Sequence, residues 1–249
     1  MPDTGGYNFR KVFDPPGGRN SSVSRSHQYD QLQATQQFYN RWARLYDRIA
    51  TAPGVTSWRQ RAAEILSLSA GDTVVEMGCG TGANFPVLRE AVGPTGAVVG
   101  IDLVGGMLDQ ARRRIEREGW ANVHVVRGDA TQPPVDEADA VISTFLIGML
   151  GDPAAAVRNW LALVEPAGRV TIMNAGRSDQ PLATPLNLAF RGFVRLAAPG
   201  EKTAPGSPVR ELEARWEAAR TTLFAETVDH VDRRLGGGFI RVASGRVPE

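Results

Sequence analysis

Three glycines at alternate positions, Gly78, Gly80 and Gly82, follow the run Val74-Val75-Glu76-Met77. A backbone without Cβ atoms takes dihedrals closed to other residues and comes close to a ligand, and a helix starting after the turn offers its N-terminus to negative charge. The segment reads as a nucleotide-binding turn, although such glycines alone serve equally well as a plain strand-to-helix connection. The next apolar run, Val98-Val99-Gly100-Ile101-Asp102, ends in a carboxylate about 20 residues beyond the glycines, where it can accept hydrogen bonds from both ribose hydroxyls. A third run ends in Gly128-Asp129-Ala130 and brings another carboxylate to the same edge, within reach of an adenine amino group. Three successive run ends thus point at one nucleoside. Asn84 and Phe85 stand where the dinucleotide fingerprint G-x-G-x-x-G has its third glycine, and no Gly-Lys-Ser or Gly-Lys-Thr follows as in a P-loop.

Those groups need a scaffold. Thr73 to Met77, Ala97 to Asp102, Val123 to Arg127, Ala138 to Thr144 and Arg169 to Asn174 read as five strands, separated by helices at Ala83 to Val92, Met107 to Arg117 and Ala154 to Val164, the last ended by Pro166 and Gly168. Repeated βα units imply a parallel sheet. A charged helix from Val209 to about Arg220 and two strand-like segments, Leu223 to His230 and Phe239 to Val247, follow, with Gly236-Gly237-Gly238 as the turn of an antiparallel pair. The expectation is an α/β fold, a Rossmann-like, doubly wound sheet of seven strands, mostly parallel with an antiparallel last strand. Ahead of it, Leu32, Phe38, Tyr39, Trp42, Leu45, Tyr46 and Ile49 recur at helical spacing, Pro53 and Gly54 break that helix, and a second runs from Ser57 to Leu68. The segmentation is a tail at 1–28, disordered by composition, and a domain at 29–249. The domain divides into N-terminal helices (29–68), cofactor-binding core (73–174), lid or substrate insertion (175–220) and C-terminal strand pair (221–249).

A net charge of +1 removes the clustered basic excess that phosphate backbones require, so no nucleic-acid partner is expected. Cys79 is the only cysteine, which excludes an internal disulfide and a multi-cysteine zinc site and fits a reducing, cytoplasmic setting. With no partner base in view, nothing makes it a nucleophile. Three scattered histidines give no metal ligand set, so no metal is expected. The N-terminus lacks the apolar core of a signal peptide, and the run around Ala140 to Leu150 is too short to span a bilayer.

Glu76-Met-Gly-Cys-Gly-Thr-Gly82, Asp102, Gly128-Asp129-Ala130 and the strand Asp139 to Thr144 together resemble the ordered motifs of class I S-adenosylmethionine-dependent methyltransferases, across roughly residues 73–174. The helix Phe38 to Asp47 also resembles the N-terminal segment of the subgroup that methylates quinones and phospholipids (methyltransferase type 11). The resemblance implies S-adenosyl-L-methionine as cofactor. It places the backbone of Gly78, Cys79, Gly80 and Gly82 against the methionine half, Glu76 below the methionine amino group and Asp102 on the ribose. Leu103 and Met107 would flank the adenine, with Gly128, Asp129 and the amide of Ala130 at its edge. Thr144 and Phe145 would face the reacting end, and Tyr39 and Tyr46 would close over the cofactor. Each carboxylate also has a plain reading as a helix cap or loop residue, a serious rival for Glu76 only.

Methyl transfer needs alignment more than a dedicated base. Were a base required, His124, His230, Asp47 and Tyr46 are the candidates by chemistry, with Tyr46 and His230 ahead. Leu186, Phe190, Phe193 and Val194 share a helical face and read as a lid over an apolar substrate, a peripheral membrane contact, or packing on the sheet. With the aromatic N-terminal helix they point to a small lipophilic acceptor, a quinone or a lipid head group. Two other readings stay open: a nicotinamide-dependent oxidoreductase and a noncatalytic nucleoside-binding protein.

Overall fold

Short β-branched runs condense into one sheet, because each can bury both faces only between layers of amphipathic helix. The structure, a computed structural model, describes residues 53–178, 180 and 208–249. Strands β1 (Thr73–Met77), β2 (Ala97–Asp102), β3 (Val123–Arg127), β4 (Ala138–Thr144) and β5 (Val164–Ala175) pair in parallel. β7 (Ile240–Arg246) pairs antiparallel with β5, and β6 (Val228–Leu235) antiparallel with β7, giving the order β3-β2-β1-β4-β5-β7-β6. β7 alone therefore runs against the other six, as the sequence predicts. The chain winds outward from β1 to β3 and returns to β4 on the other side of β1. The crevice beyond the carboxyl ends of β1 and β4 is thus the topological switch point where open α/β sheets bind ligands.

Helices α1 (Pro53–Leu66), α2 (Phe85–Val92) and α3 (Gly105–Glu118) cover one face with α4 (Pro153–Leu161) and α5 (Pro208–Ala225) on the other. On the first face Ala62, Leu66, Phe85, Leu88 and Leu108 pack against Val74, Val98, Ile142 and Met173. On the second, Trp160, Trp216, Ala219 and Leu223 pack against Val75, Val141, Val170 and Ile172. α1 also reaches the far end of the sheet: a Cβ on Gly236, in the β6–β7 turn, would lie 2.6 Å from the Trp58 ring. Among the described residues no helix is long and apolar enough to cross a membrane.

Strands β1 to β4 have the boundaries expected from sequence, while several helix ends do not. α1 begins at Pro53 rather than at Ser57, since proline at a first helical turn forfeits no hydrogen bond; the helix expected ahead of it lies outside the described residues. α4 stops at Leu161, and Pro166 and Gly168 lie inside β5, where the register shifts from Val164 opposite Ala138 to Arg169 opposite Ala140. A Cβ on Gly168 would meet the Asp139 carbonyl oxygen at 2.3 Å, so this bulge requires glycine. α5 continues to Ala225, past the expected start of a strand at Leu223, because Trp216, Ala219 and Leu223 share one buried helical stripe.

Candidate functional site

β1 delivers the chain into the glycine turn at the switch point. Gly78, Gly80 and Gly82 all adopt left-handed backbone, with φ of 70°, 56° and 73°, a region that disfavours side chains. The amides of Gly78 and Cys79 both donate to the Ile101 carbonyl, at 2.8 and 3.0 Å, which ties the turn to the end of β2. Asp102 completes the clasp: its Oδ2 accepts from the Gly80 amide and its Oδ1 from the Val104 amide, each at 2.8 Å. Burial raises the Asp102 carboxyl above its ordinary range, against the pull of those backbone donors. A carboxylate offers roughly four lone-pair sites, so these two contacts leave acceptor capacity for ribose hydroxyls. The Cys79 thiol turns inward; a Cβ on Gly100 would lie 2.8 Å from its Sγ. Burial pushes the thiol up well above its ordinary value, so it stays protonated and fills space.

Behind the turn lies a buried polar network. Asn84 occupies the N-cap of α2, yet its side chain makes no capping bond. Its Nδ2 instead donates to Glu76 Oε1 at 2.5 Å and to Thr144 Oγ1 at 3.0 Å. Arg59 of α1 donates through Nη1 to Asn84 Oδ1 and Thr144 Oγ1, both at 2.9 Å, and its Cζ lies 5.2 Å from the Phe145 ring centroid. Glu76 is 1% exposed, and its Oε2 has no hydrogen-bond partner among the described residues. Burial raises its carboxyl from 4.5 to about 8, with Arg59 and Asn84 acting in the opposite direction. A buried acceptor without a donor destabilises by about 1–3 kcal/mol, and an incoming ammonium is the group that would relieve it.

The edge of β3 is held from three sides. The Gly128 amide donates to the Asp102 carbonyl at 3.1 Å, and Trp160 Nε1 of α4 donates to the Ala130 carbonyl at 2.6 Å. Asp129 Oδ1 accepts from both the amide and the hydroxyl of Thr131, each at 2.8 Å, in an Asx turn. Leu103 is half-buried and Met107 buried at the start of α3. Phe145 has φ of 61°, a strained value for an aromatic residue, with its amide donating to the Met173 carbonyl at 2.7 Å. Glu76, the three glycines, Asp102, Gly128 to Ala130, Thr144 and Phe145 thus share the carboxyl edge of the sheet.

His230 does not join them. It is the third residue of β6, where Val228 pairs with Arg246 and Arg246 with Arg169, at the amino edge of the parallel strands. Its ring stacks on Phe224 with centroids 4.5 Å apart, and its Nε2 lies 2.7 Å from the Thr227 carbonyl. Tyr39, Tyr46 and the apolar stretch at 186–196 lie outside the described residues. Sequence reasoning missed Arg59 and treated Asn84 only as an absent glycine. An arginine on an amphipathic helix reads as solvated, and nothing local signals that it crosses to β4.

Residues 74–168 match a family described as a methyltransferase domain. An aklanonic acid methyltransferase of a Streptomyces species is 30% identical over 140 residues, 55% of this chain and 63% of that protein. A demethylmenaquinone methyltransferase of Lactococcus lactis is 23% identical over 181 residues, 72% of this chain and 71% of that protein. A solved SAM-dependent methyltransferase from Aquifex aeolicus shares the fold, with a TM-score of 0.57 at 18% identity over 81% of this chain and 97% of that one. The chain spans between 35% and 71% of the length of the curated relatives it matches.

Proposed function

We propose that this chain, whose residues 74–168 match a family described as a methyltransferase domain, is a class I S-adenosylmethionine-dependent methyltransferase that transfers a methyl group to a small lipophilic acceptor of the quinone or lipid-head-group kind. The observation that carries the reading is the convergence at the switch point of three left-handed glycines, the clasped Asp102 and the orphaned Glu76 Oε2. When bound, S-adenosylmethionine supplies an electrophilic methyl on a sulfonium. The chain's own work is to bind and orient. Gly78, Gly80 and Gly82 admit the methionine half, Glu76 takes its ammonium, Asp102 holds the ribose, and Leu103 and Met107 flank the adenine. The Ala130 amide and the remaining oxygen of Asp129 meet the adenine edge. Thr144 and Phe145 line the reacting end, where excluding water and aligning the nucleophile supply much of the rate.

The similarity to an aklanonic acid methyltransferase and a demethylmenaquinone methyltransferase supports an apolar ring acceptor. The apolar stretch at 186–196 would cover it and touch a membrane surface peripherally. The lone cysteine supports a reducing compartment, the cytoplasm.

Calorimetric titration with S-adenosylmethionine, S-adenosylhomocysteine and NADH tests the cofactor. Both adenosyl ligands are expected to bind and NADH not to, with Asp102→Ala weakening the former roughly ten- to hundredfold, the range for lost charged hydrogen bonds. Binding of NADH without either adenosyl ligand would return the reading to an oxidoreductase.

A further inference from the structure

Beside the residues placed at the reacting end, Thr144 pairs with Met173 of β5, and the next residue, Asn174, pairs with Arg241 of β7. Val170 and Ile172 pack on the face covered by α4 and α5, and strand alternation turns Asn174 to that face, opposite the one that holds Glu76. Antiparallel partners hold their Cβ atoms about 5 Å apart on one face, so the two side chains are neighbours. Both are buried, Asn174 at 4% and Arg241 at 8% exposure. Asn174 Nδ2 and Arg241 Nε have no hydrogen-bond partner among the described residues. The far end of the guanidinium is engaged: Nη2 lies 3.6 Å from a Glu213 carboxylate oxygen and donates to the Arg177 carbonyl at 3.5 Å. The charge is therefore met, and one donor from each residue is left over. A buried donor without an acceptor is costly to the fold.

Two glycines face those donors. A Cβ on Gly148 would lie 3.3 Å from Asn174 Nδ2, and one on Gly176 2.6 Å from Arg241 Nε, so a side chain at either position would stand against a donor. Gly148 belongs to the turn Ile147–Met149 after β4, and its carbonyl accepts from Arg215 Nη1 of α5 at 2.8 Å. Met149, next along, is 52% exposed, which brings an apolar side chain to the surface one residue from the glycine that faces Asn174. This combination suits a ligand that is apolar in its ring and polar at one atom. We infer that Asn174 Nδ2 and Arg241 Nε bind one oxygen carried on the ring of the acceptor, a carbonyl or hydroxyl oxygen whose lone pairs take one hydrogen bond from each. The inference rests on the proposed reaction and names the polar group its acceptor must carry. Burial strengthens both bonds, and it makes the donors reject a ring that offers carbon in place of oxygen.

2-Naphthol and 2-methylnaphthalene, similar in size, differ at that one position. Each is measured by equilibrium dialysis against the full chain saturated with S-adenosylhomocysteine. A plain apolar pocket holds the methyl compound more tightly, because a methyl group gives up no hydrogen bonds to water. The wild type is expected to reverse that order and to bind 2-naphthol at least about tenfold more tightly. Arg241→Lys keeps a cation for Glu213 and removes Nε, and Asn174→Leu removes the other donor at similar volume. Each is expected to weaken 2-naphthol roughly tenfold and to leave 2-methylnaphthalene within about twofold of wild type. Unchanged affinity for S-adenosylhomocysteine shows that the variants are folded. A wild type that binds the methyl compound as tightly as the naphthol, or that binds neither while holding S-adenosylhomocysteine, overturns the inference without need of any variant. So do variants that lose both ring compounds to the same degree, which would make Asn174 and Arg241 braces between β5 and β7. If the wild type binds no adenosyl ligand at all, the cofactor reading fails first and takes this inference with it.

Discussion

With a folded value near 8 and an ordinary value of 4.5, the Glu76 carboxyl opposes folding of the ligand-free protein. Between those values the unfolded chain has released a proton that the folded chain still holds, so stability falls as pH rises from about 4.5 to about 8 and levels off above. Glu76→Gln keeps an oxygen for Asn84 and removes the ionisation. It is expected to stabilise the ligand-free protein at pH 8 by about 1–3 kcal/mol, with a smaller gain at pH 5, read from urea midpoints at the two values. On the proposed reading the same residue links binding to pH: an ammonium at Oε2 would ionise the carboxyl, so that below about pH 8 binding would release a proton and affinity would climb with pH. Calorimetry in two buffers of different ionisation enthalpy counts that proton, and a buffer-independent heat would show Glu76 uninvolved. The residues legible in sequence were those with a positional signature. Gly78, Gly80, Gly82 and Asp102 announce themselves by following or ending a strand, whereas Arg59 acts through a contact made 85 positions away.

Among the elements, the turn from β1 to α2 has the least freedom to vary. Gly82 combines φ of 73° with a Cβ position 2.4 Å from the Phe85 ring, so an added methyl meets both backbone strain and a fully buried aromatic. Gly82→Ala is expected to lose about 1–3 kcal/mol and to abolish adenosyl-ligand binding. Gly119, the C-cap of α3, has a similar φ of 66° but open space around its Cβ. Gly119→Ala should then lose about 1 kcal/mol with ligand affinity unchanged. Parallel affinity losses in the two variants would mean that the turn's shape is not what the ligand requires. Strand positions were readable because five β-branched runs are too short to be helices, and alternating them with amphipathic segments leaves one topology to consider. The ends of α1, α4 and α5 were not, because proline and glycine punctuation depends on context. Pro53 begins a helix, Pro166 sits in a bulge, and the stop of α5 is decided by what Leu223 packs against.

Across the whole molecule, α1 joins two places that are far apart in sequence. Trp58 packs over the β6–β7 turn while its neighbour Arg59 enters the network at β4, so the seating of the C-terminal strand pair and the geometry behind the glycine turn share one helix. β7 is the last strand in the sequence but lies inside the sheet, between β5 and β6. A chain stopped after Gly238 would expose the edges of β5 and β6 together, and it is expected to aggregate rather than bind ligand weakly, as light scattering after refolding would reveal. A soluble, monomeric product binding S-adenosylhomocysteine normally would contradict this. The same arrangement has a consequence for biosynthesis. During translation the β5 flank stays unpaired until residues 240–246 leave the ribosome and thread antiparallel beside it, and until then helper proteins rather than ligand must keep the nascent chain from its neighbours.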